Sequence, residues 1–312
     1  MAGRPSVDRR AFLAGAAGVA SSLLATRRLP ARGAEDAAAG PPPRKVRKIR
    51  KALKLSMVGL DGTWEERFRV LREVGFDGVE PGAPSDLDLV ELLAASEATG
   101  LALPGVIGSR HWQQPLNHPD EAVRTAGREA IEQGLRDAKM LGASTLLVVP
   151  AVVNRDWRYE DAYRLSQAEL RKVVPLAEEL GVKIAIENVW NGFLLSPLEA
   201  ARYVDEFESD AIGWYLDVGN LVRYAWPEHW VRTLGRRVLK LDVKDYSRKK
   251  QNDEGLWKGF EAEIGDGDSD WPRVMAALDE IGFEEWASAE VAGGGRERLK
   301  EIADRMDRVL QS

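Results

Sequence analysis

Four acidic residues pose the question of chemistry: Glu187 in AIENVW, Asp217 in YLDVGN, Asp242 in LDVKDY and Glu290 in SAEV. Each follows a short apolar run and so would stand near the end of a strand. Carboxylates that share a low-dielectric site repel one another, and without a cation their pKa values climb. A divalent metal removes that conflict, and oxygen-only ligands select a hard ion such as Mg²⁺ or Mn²⁺. The chain has no cysteine and only three histidines, His111, His118 and His229. Disulfides, thiolate sites and cysteine nucleophiles are thereby excluded, and a metal site must lean on carboxylates. His118 falls in the loop LNHPD and His229 in a helix, and neither is placed as a ligand.

The elements that must position these acids follow from periodicity. β-rich runs at 54–60, 78–82, 101–109, 144–152, 182–189, 212–220, 238–245 and 285–294 alternate with amphipathic segments at 63–75, 86–100, 120–142, 160–181, 196–208, 227–236, 270–282 and 295–311. Asp61 or Thr63, Asp120, Ser196 and Asp270 are expected N-caps; Gly75, Gly100, Gly142, Gly181 and Gly282 close helices. Eight βα repeats with mostly continuous apolar strands imply a parallel sheet that closes, a (β/α)8 TIM barrel over residues 54–312. A doubly wound open sheet is the competing topology, but no Gly-rich phosphate loop follows the first strand.

In such a barrel the site lies at the C-terminal ends of the strands. That rim receives Glu187 and Asn188 from strand five, Asp217 and Asn220 from six, Asp242 and Asp245 from seven, and Glu290 from eight. Glu80, ending strand two, is expected as a rim contact or cap partner. Alternation puts Lys240, Asp242 and Lys244 on one face, with Lys240 deeper, where it either pairs with a buried acid or lies at the strand's entrance. The segment 246–269 is long for a connection and is expected to form a flap over the mouth.

The phrases AIENVW, YLDVGN, LDVKDY and SAEV, in that order, resemble those of the xylose isomerase-like TIM barrel superfamily, and most closely its sugar-phosphate epimerases and ketose 3-epimerases of the L-xylulose 5-phosphate 3-epimerase type. HWQQPLNHPDEAVR and EIGDGDSDW add to the likeness, which spans about residues 54–312. It implies that Glu187, Asp217 and Glu290 are metal ligands. Asp242 stands where the family usually has a histidine, and is expected as the fourth. It further implies that Glu187 and Glu290 carry protons on opposite faces of a ketose through an enediolate, so that the protein is a metal-dependent isomerase or epimerase. Asp245 and Lys244 would support the ligands, and Lys244, Arg248, Asn220, His111 and Trp190 would contact substrate.

Residues 1–34 contain an arginine pair, Arg9 and Arg10, before the alanine-rich run Ala11 to Ala25, a pattern like a twin-arginine export signal. The run is short of the roughly 20 apolar residues that span a bilayer. A Pro-rich, basic tether at 35–53 follows, and a periplasmic location is expected. The 312 residues carry a formal charge of −6; losing six arginines and one aspartate with the leader would leave −11. An acidic body opposes nucleic-acid binding, and with it a DNA-repair endonuclease of the same superfamily, which would also need more histidines. A keto-sugar or inosose lyase or dehydratase, and a non-catalytic sugar-binding barrel with a degenerate metal site, are the remaining alternatives. A small sugar is the expected partner, and homo-oligomerisation is left open.

Overall fold

A computed structural model describes residues 47–312. The expected export signal and most of the tether lie outside them. Eight parallel strands and their helices run in the order β1 (Arg50–Leu53), α1 (Trp64–Val74), β2 (Gly82–Ala83), α2 (Leu89–Thr99), β3 (Gly105–Gly108), α3 (Glu121–Met140), β4 (Thr145–Val148) and α4 (Tyr159–Leu180). The second half continues with β5 (Lys183–Glu187), α5 (Pro197–Asp205), β6 (Ile212–Asp217), α6 (Val218–Val222), α7 (Pro227–Leu234), β7 (Val238–Val243), α8 (Arg248–Glu254), α9 (Trp271–Glu280), β8 (Trp286–Ala289) and α10 (Arg296–Leu310).

The sheet runs β1-β8-β7-β6-β5-β4-β3-β2. Its two ends meet through a parallel bridge between Lys54 and Glu80, where Glu80 N donates to Leu53 O and Leu55 N donates to Glu80 O, each at 2.9 Å. The sheet therefore closes, as the count of eight requires.

The helix ends follow their local chemistry. Thr63 and Glu66 form a reciprocal capping box on α1, while Asp120 and Ser196 cap α3 and α5. Gly75 ends α1 at φ 106°, a conformation open to a residue without a Cβ. Asp270 differs from expectation. It precedes α9 at φ 52° and caps nothing, pairing with Arg273 instead.

The first strand is also displaced. It lies at Arg50–Leu53 rather than at 54–60, inside the stretch read as tether, and Leu55–Met57 form a 3-10 turn. Apolar spacing in KALKLSM suits either window; pairing with β8, Arg50 beside Trp286 and Leu53 beside Ala289, selects the earlier one.

The main core fills the layer between strands and helices, with Phe68, Leu92, Leu146, Trp214, Trp230 and Ile302 almost fully buried. Inside the barrel a small apolar cluster of Leu147, Ala185 and Tyr215 accompanies a charged network. Glu80 is its centre: Lys240 Nζ donates to one oxygen at 2.7 Å, and Tyr215 Oη, Ser288 Oγ and Lys54 Nζ donate to the other at 2.6, 2.7 and 3.2 Å. Glu80 is thus neither a rim residue nor a cap, and Lys240 takes the buried-acid option. Gly105 makes room for the pair, since an added Cβ would overlap both Lys240 Nζ and Glu80 Oε1.

Candidate metal and sugar site

Strand register brings the four acids together. Glu187 on β5 is level with Tyr215 on β6, and Asp217 lies two residues further on, on the same face. Asp217 is level with Asp242 on β7, Asp242 is level with Ser288 on β8, and Glu290 lies two beyond Ser288. One carboxylate oxygen from each of Glu187, Asp217, Asp242 and Glu290 falls within 4.8 Å of the others. Glu187, Asp217 and Asp242 are buried, while the Glu290 side chain is 40% exposed.

Two lysines enter the cluster. Lys244 Nζ lies 2.7 Å from Asp217 Oδ2 and 2.5 Å from Glu290 Oε2. Lys54 Nζ lies 2.7 Å from Asp242 Oδ1 and also reaches Glu80, linking the mouth to the charged interior. Counting Glu80, five carboxylates face the three ammonium groups of Lys54, Lys240 and Lys244, so two negative charges stay uncompensated when all are ionised.

The electrostatics divide the acids. Burial, then Glu290, Asp242 and Asp217, push Glu187 well above the usual carboxylate range. Burial raises Asp242 likewise, against the pull of Lys54. Burial pushes Asp217 up to about 6, with Lys244 opposing. Burial also acts on Glu290, but Lys244 and then Lys54 outweigh it and hold the acid below its ordinary value.

The donor set fits a hard divalent cation. All four ligands are carboxylates, and both Asp242 oxygens are buried without a hydrogen-bond donor, the Lys54 contact being close but outside hydrogen-bonding geometry. Lys244 contacts two of the four donors, so ammonium and metal compete for Asp217 and Glu290.

A pH dependence follows. An acid whose pKa is raised by folding keeps its proton in the folded chain after the unfolded chain has lost it, so stability falls as pH rises between the two values. For Asp217 that window runs from the ordinary 3.8 to about 6. About two units at ~1.4 kcal/mol each amount to about 3 kcal/mol. In chelator, urea unfolding of an Asp217→Asn variant should therefore gain about 3 kcal/mol on the wild type between pH 4 and pH 7. A constant difference across that range would mean that Asp217 is not a strained acid.

The other expected site residues fall into two groups. Asn220 is at the cluster, with Nδ2 donating to Asp217 Oδ2 at 2.8 Å and to Glu187 Oε1 at 3.4 Å. Lys244 and Trp190 line a cleft of about 410 Å³ beside Glu290, together with Trp112, Trp257, Phe260, Val291 and Ala292. The Trp190 indole N–H is engaged by Asn220 O, so only its ring faces the cleft.

Three of the expected residues make no hydrogen bond or ion pair with the four acids. Arg248 donates to Val222 O and Ala225 O, at 2.9 and 3.0 Å, and stacks on Trp226. His111 packs in a separate small pocket with Ala83, Gly108 and Leu146, and burial lowers its pKa to about 4; its neighbour Trp112 faces the cleft instead. Asp245 hydrogen-bonds none of the four acids. It accepts from Tyr246 N, Gly265 N, Ser269 N, Ser269 Oγ and Trp271 Nε1, fastening both ends of the long connection after β7.

That connection is a structured wall with α8 and a 3-10 turn at Leu256–Glu261, from which Trp257 and Phe260 reach the cleft. Asp245→Ala would leave several buried donors unpaired and should cost about 2–4 kcal/mol. Proteolysis concentrated at residues 246–270 with the rest of the barrel intact would confirm the fastening role; an unchanged digestion pattern would refute it.

Lys54, Trp112, Trp257 and Phe260 are absent from the sequence-based expectations. The aromatics had a signal, their places in HWQQP and in the long connection. Lys54 had none, because its partners lie across the barrel.

A closed (β/α)8 barrel whose rim gathers carboxylates from β5, β6, β7 and the end of β8 places this chain among barrels that work at their C-terminal mouth. The family model described as xylose isomerase-like TIM barrel matches residues 68–311, and the chain belongs to that family. A relative named L-ribulose-5-phosphate 3-epimerase UlaE, from Escherichia coli O1:K1, is 24% identical over 234 residues, covering 70% of this chain and 79% of its own length. Among solved structures, one of L-ribulose 3-epimerase superposes with TM-score 0.69 at 18% identity, over 84% of this chain and 95% of the other. The IOLI protein, solved with a bound zinc atom, gives TM-score 0.70 at 18% identity over 84% and 98%. Among the described residues, no helix is long and apolar enough to cross a membrane.

Proposed function

We propose that this protein is a metal-dependent sugar epimerase or isomerase that moves a proton at the carbon next to a ketose carbonyl. The observation that carries the reading is the meeting of four carboxylate oxygens within 4.8 Å at the barrel mouth. The epimerase names of its relatives agree with it.

Glu187, Asp217, Asp242 and Glu290 would hold the ion, with Mn²⁺ or Mg²⁺ suited to the all-oxygen set. A hard divalent cation held there would supply the positive charge that polarises a ketose carbonyl and acidifies the adjacent carbon. Glu290 is ionised and open to the cleft, so it takes the proton and leaves an enediolate sugar. Glu187 returns one from the other side. Asn220 holds Asp217 and Glu187 in place, and Lys244 pairs with Asp217 and Glu290. If only one glutamate reaches the carbon, the same site performs aldose–ketose isomerisation. The export-signal pattern in residues 1–34 adds a periplasmic location to the proposal.

The test is metal content and exchange together. Protein purified without chelator should carry about one Mn²⁺ or Mg²⁺ per chain, and ketoses in D₂O should take up deuterium next to the carbonyl, with the activity lost on chelation. No metal bound and none taken up would overturn the mechanism and favour a non-catalytic sugar-binding barrel.

A further inference from the structure

Apart from Asn220, Lys244, Asp245 and Glu290, the cleft beside the acids is lined by apolar and aromatic side chains. Trp112, Trp190, Trp257, Phe260, Val291 and Ala292 line it. Trp190 packs against Trp257 and Phe260 with ring centroids 5.0 and 4.8 Å away and planes tilted by 42° and 39°, a contiguous aromatic wall. Trp257 and Trp112 stay 68% and 48% exposed, an unusual state for tryptophan and one that marks binding surfaces.

Among the described residues, no side chain that lines the cleft offers a free cation. Lys244 is the sole basic residue among the described residues that line it, and its ammonium is held by Asp217 and Glu290. Of the nearby arginines, Arg248 is engaged on two carbonyls and Arg298 with Glu263 and Glu301, while Arg223 stacks on the Trp190 ring beside the cleft. In the glycine turn before α10, Gly294 N donates to Met57 O and Gly59 N to Gly294 O, and Gly295 leads into the helix without a side-chain cap. A phosphate ester carries close to two negative charges and needs Arg, Lys or free N–H groups to replace its water.

We propose that the cleft takes an uncharged sugar bearing a second ring, a glycoside, rather than a sugar phosphate, with the outer ring resting on the Trp257 face. The inference uses the proposed sugar chemistry only to choose probes. A ketose and two derivatives altered at one oxygen isolate the variable: D-fructose, D-fructose 6-phosphate, and isomaltulose, which carries glucose at that oxygen. Calorimetric titration of the full chain with Mn²⁺ present should rank isomaltulose at least fivefold tighter than fructose, and fructose 6-phosphate at least tenfold weaker. In Trp257→Ala the preference for isomaltulose over fructose should fall to about twofold or less. This tryptophan is exposed, so its loss should leave the fold intact.

Fructose 6-phosphate binding as tightly as fructose would overturn the proposal. So would an isomaltulose preference that survives Trp257→Ala, or a failure of both neutral sugars to bind. Neutral sugars that bind in the expected order without deuterium exchange would instead sink the epimerase reading and leave this one standing.

Discussion

A Glu80→Leu substitution is expected to cost about 3–5 kcal/mol of folding stability. Glu80 is fully buried and is the common acceptor for Lys240, Lys54, Tyr215 and Ser288. Its carboxyl is held well below the usual range because Lys240 and Lys54 together outweigh its burial. Leucine would remove the acceptor while the Lys240 ammonium stays 1% exposed, with no other ion pair among the described residues. A buried charge left alone is far worse than a pair that was never there, because the desolvation remains and the attraction is gone. The double variant Glu80→Leu, Lys240→Met removes both charges and should recover to within about 1–2 kcal/mol of the wild type. Urea denaturation of the three proteins at pH 7 measures this cycle. Equal losses in the single and double variants would show that the network acts through shape and not through charge.

The barrel was legible in the sequence because its repeats are local. Each of five helices closes on a glycine, and the strand that follows is a short apolar run, so windows of ten to twenty residues are enough to count eight units. The four acids were legible for a related reason. Strand alternation fixes which side chains share a face, and Lys240, Asp242 and Lys244 do all face the barrel axis, meeting Glu80, the acid cluster, and Asp217 with Glu290. What alternation does not fix is the direction of a side chain once the strand has ended. Asp245 and Arg248 both follow β7, and there the chain turns, so one faces the connection and the other the carbonyls of Val222 and Ala225. Lys54 is hidden for a third reason: the register of β1 is set by β8, more than two hundred residues away in the chain. Once β1 ends at Leu53, Lys54 is free to turn inward and bridge Glu80 and Asp242.

Glu187→Gln and Glu290→Gln are expected to fail in different ways, and that difference tests the division of labour between the two acids. Glu290 is held ionised by Lys244 and Lys54 and opens on the cleft, so it is the group ready to accept a proton. Burial and its acidic neighbours push the Glu187 carboxyl well above its ordinary range in the metal-free protein, and the proposed mechanism would make it the group that returns a proton. With Glu187→Gln under saturating Mn²⁺, Glu290 should still exchange the substrate proton with solvent, while inversion, which needs a donor on the opposite face, should fall by about 10²–10⁴. Glu290→Gln should lose exchange and inversion together for the epimer whose proton Glu290 removes. Following deuterium uptake and epimer ratio in the same NMR tube separates the two rates. Loss of ligand charge alone would weaken both reactions in parallel and be restored by more metal, so exchange without inversion is the outcome that assigns the roles. Folding offers an internal control. Because Glu187 is already driven towards its neutral form, an amide there removes strain, and the Glu187→Gln protein should be at least as stable as the wild type in chelator at pH 7. A destabilised variant would mean that Glu187 is an ionised structural partner in the metal-free protein, and the donor role would have to be reassigned.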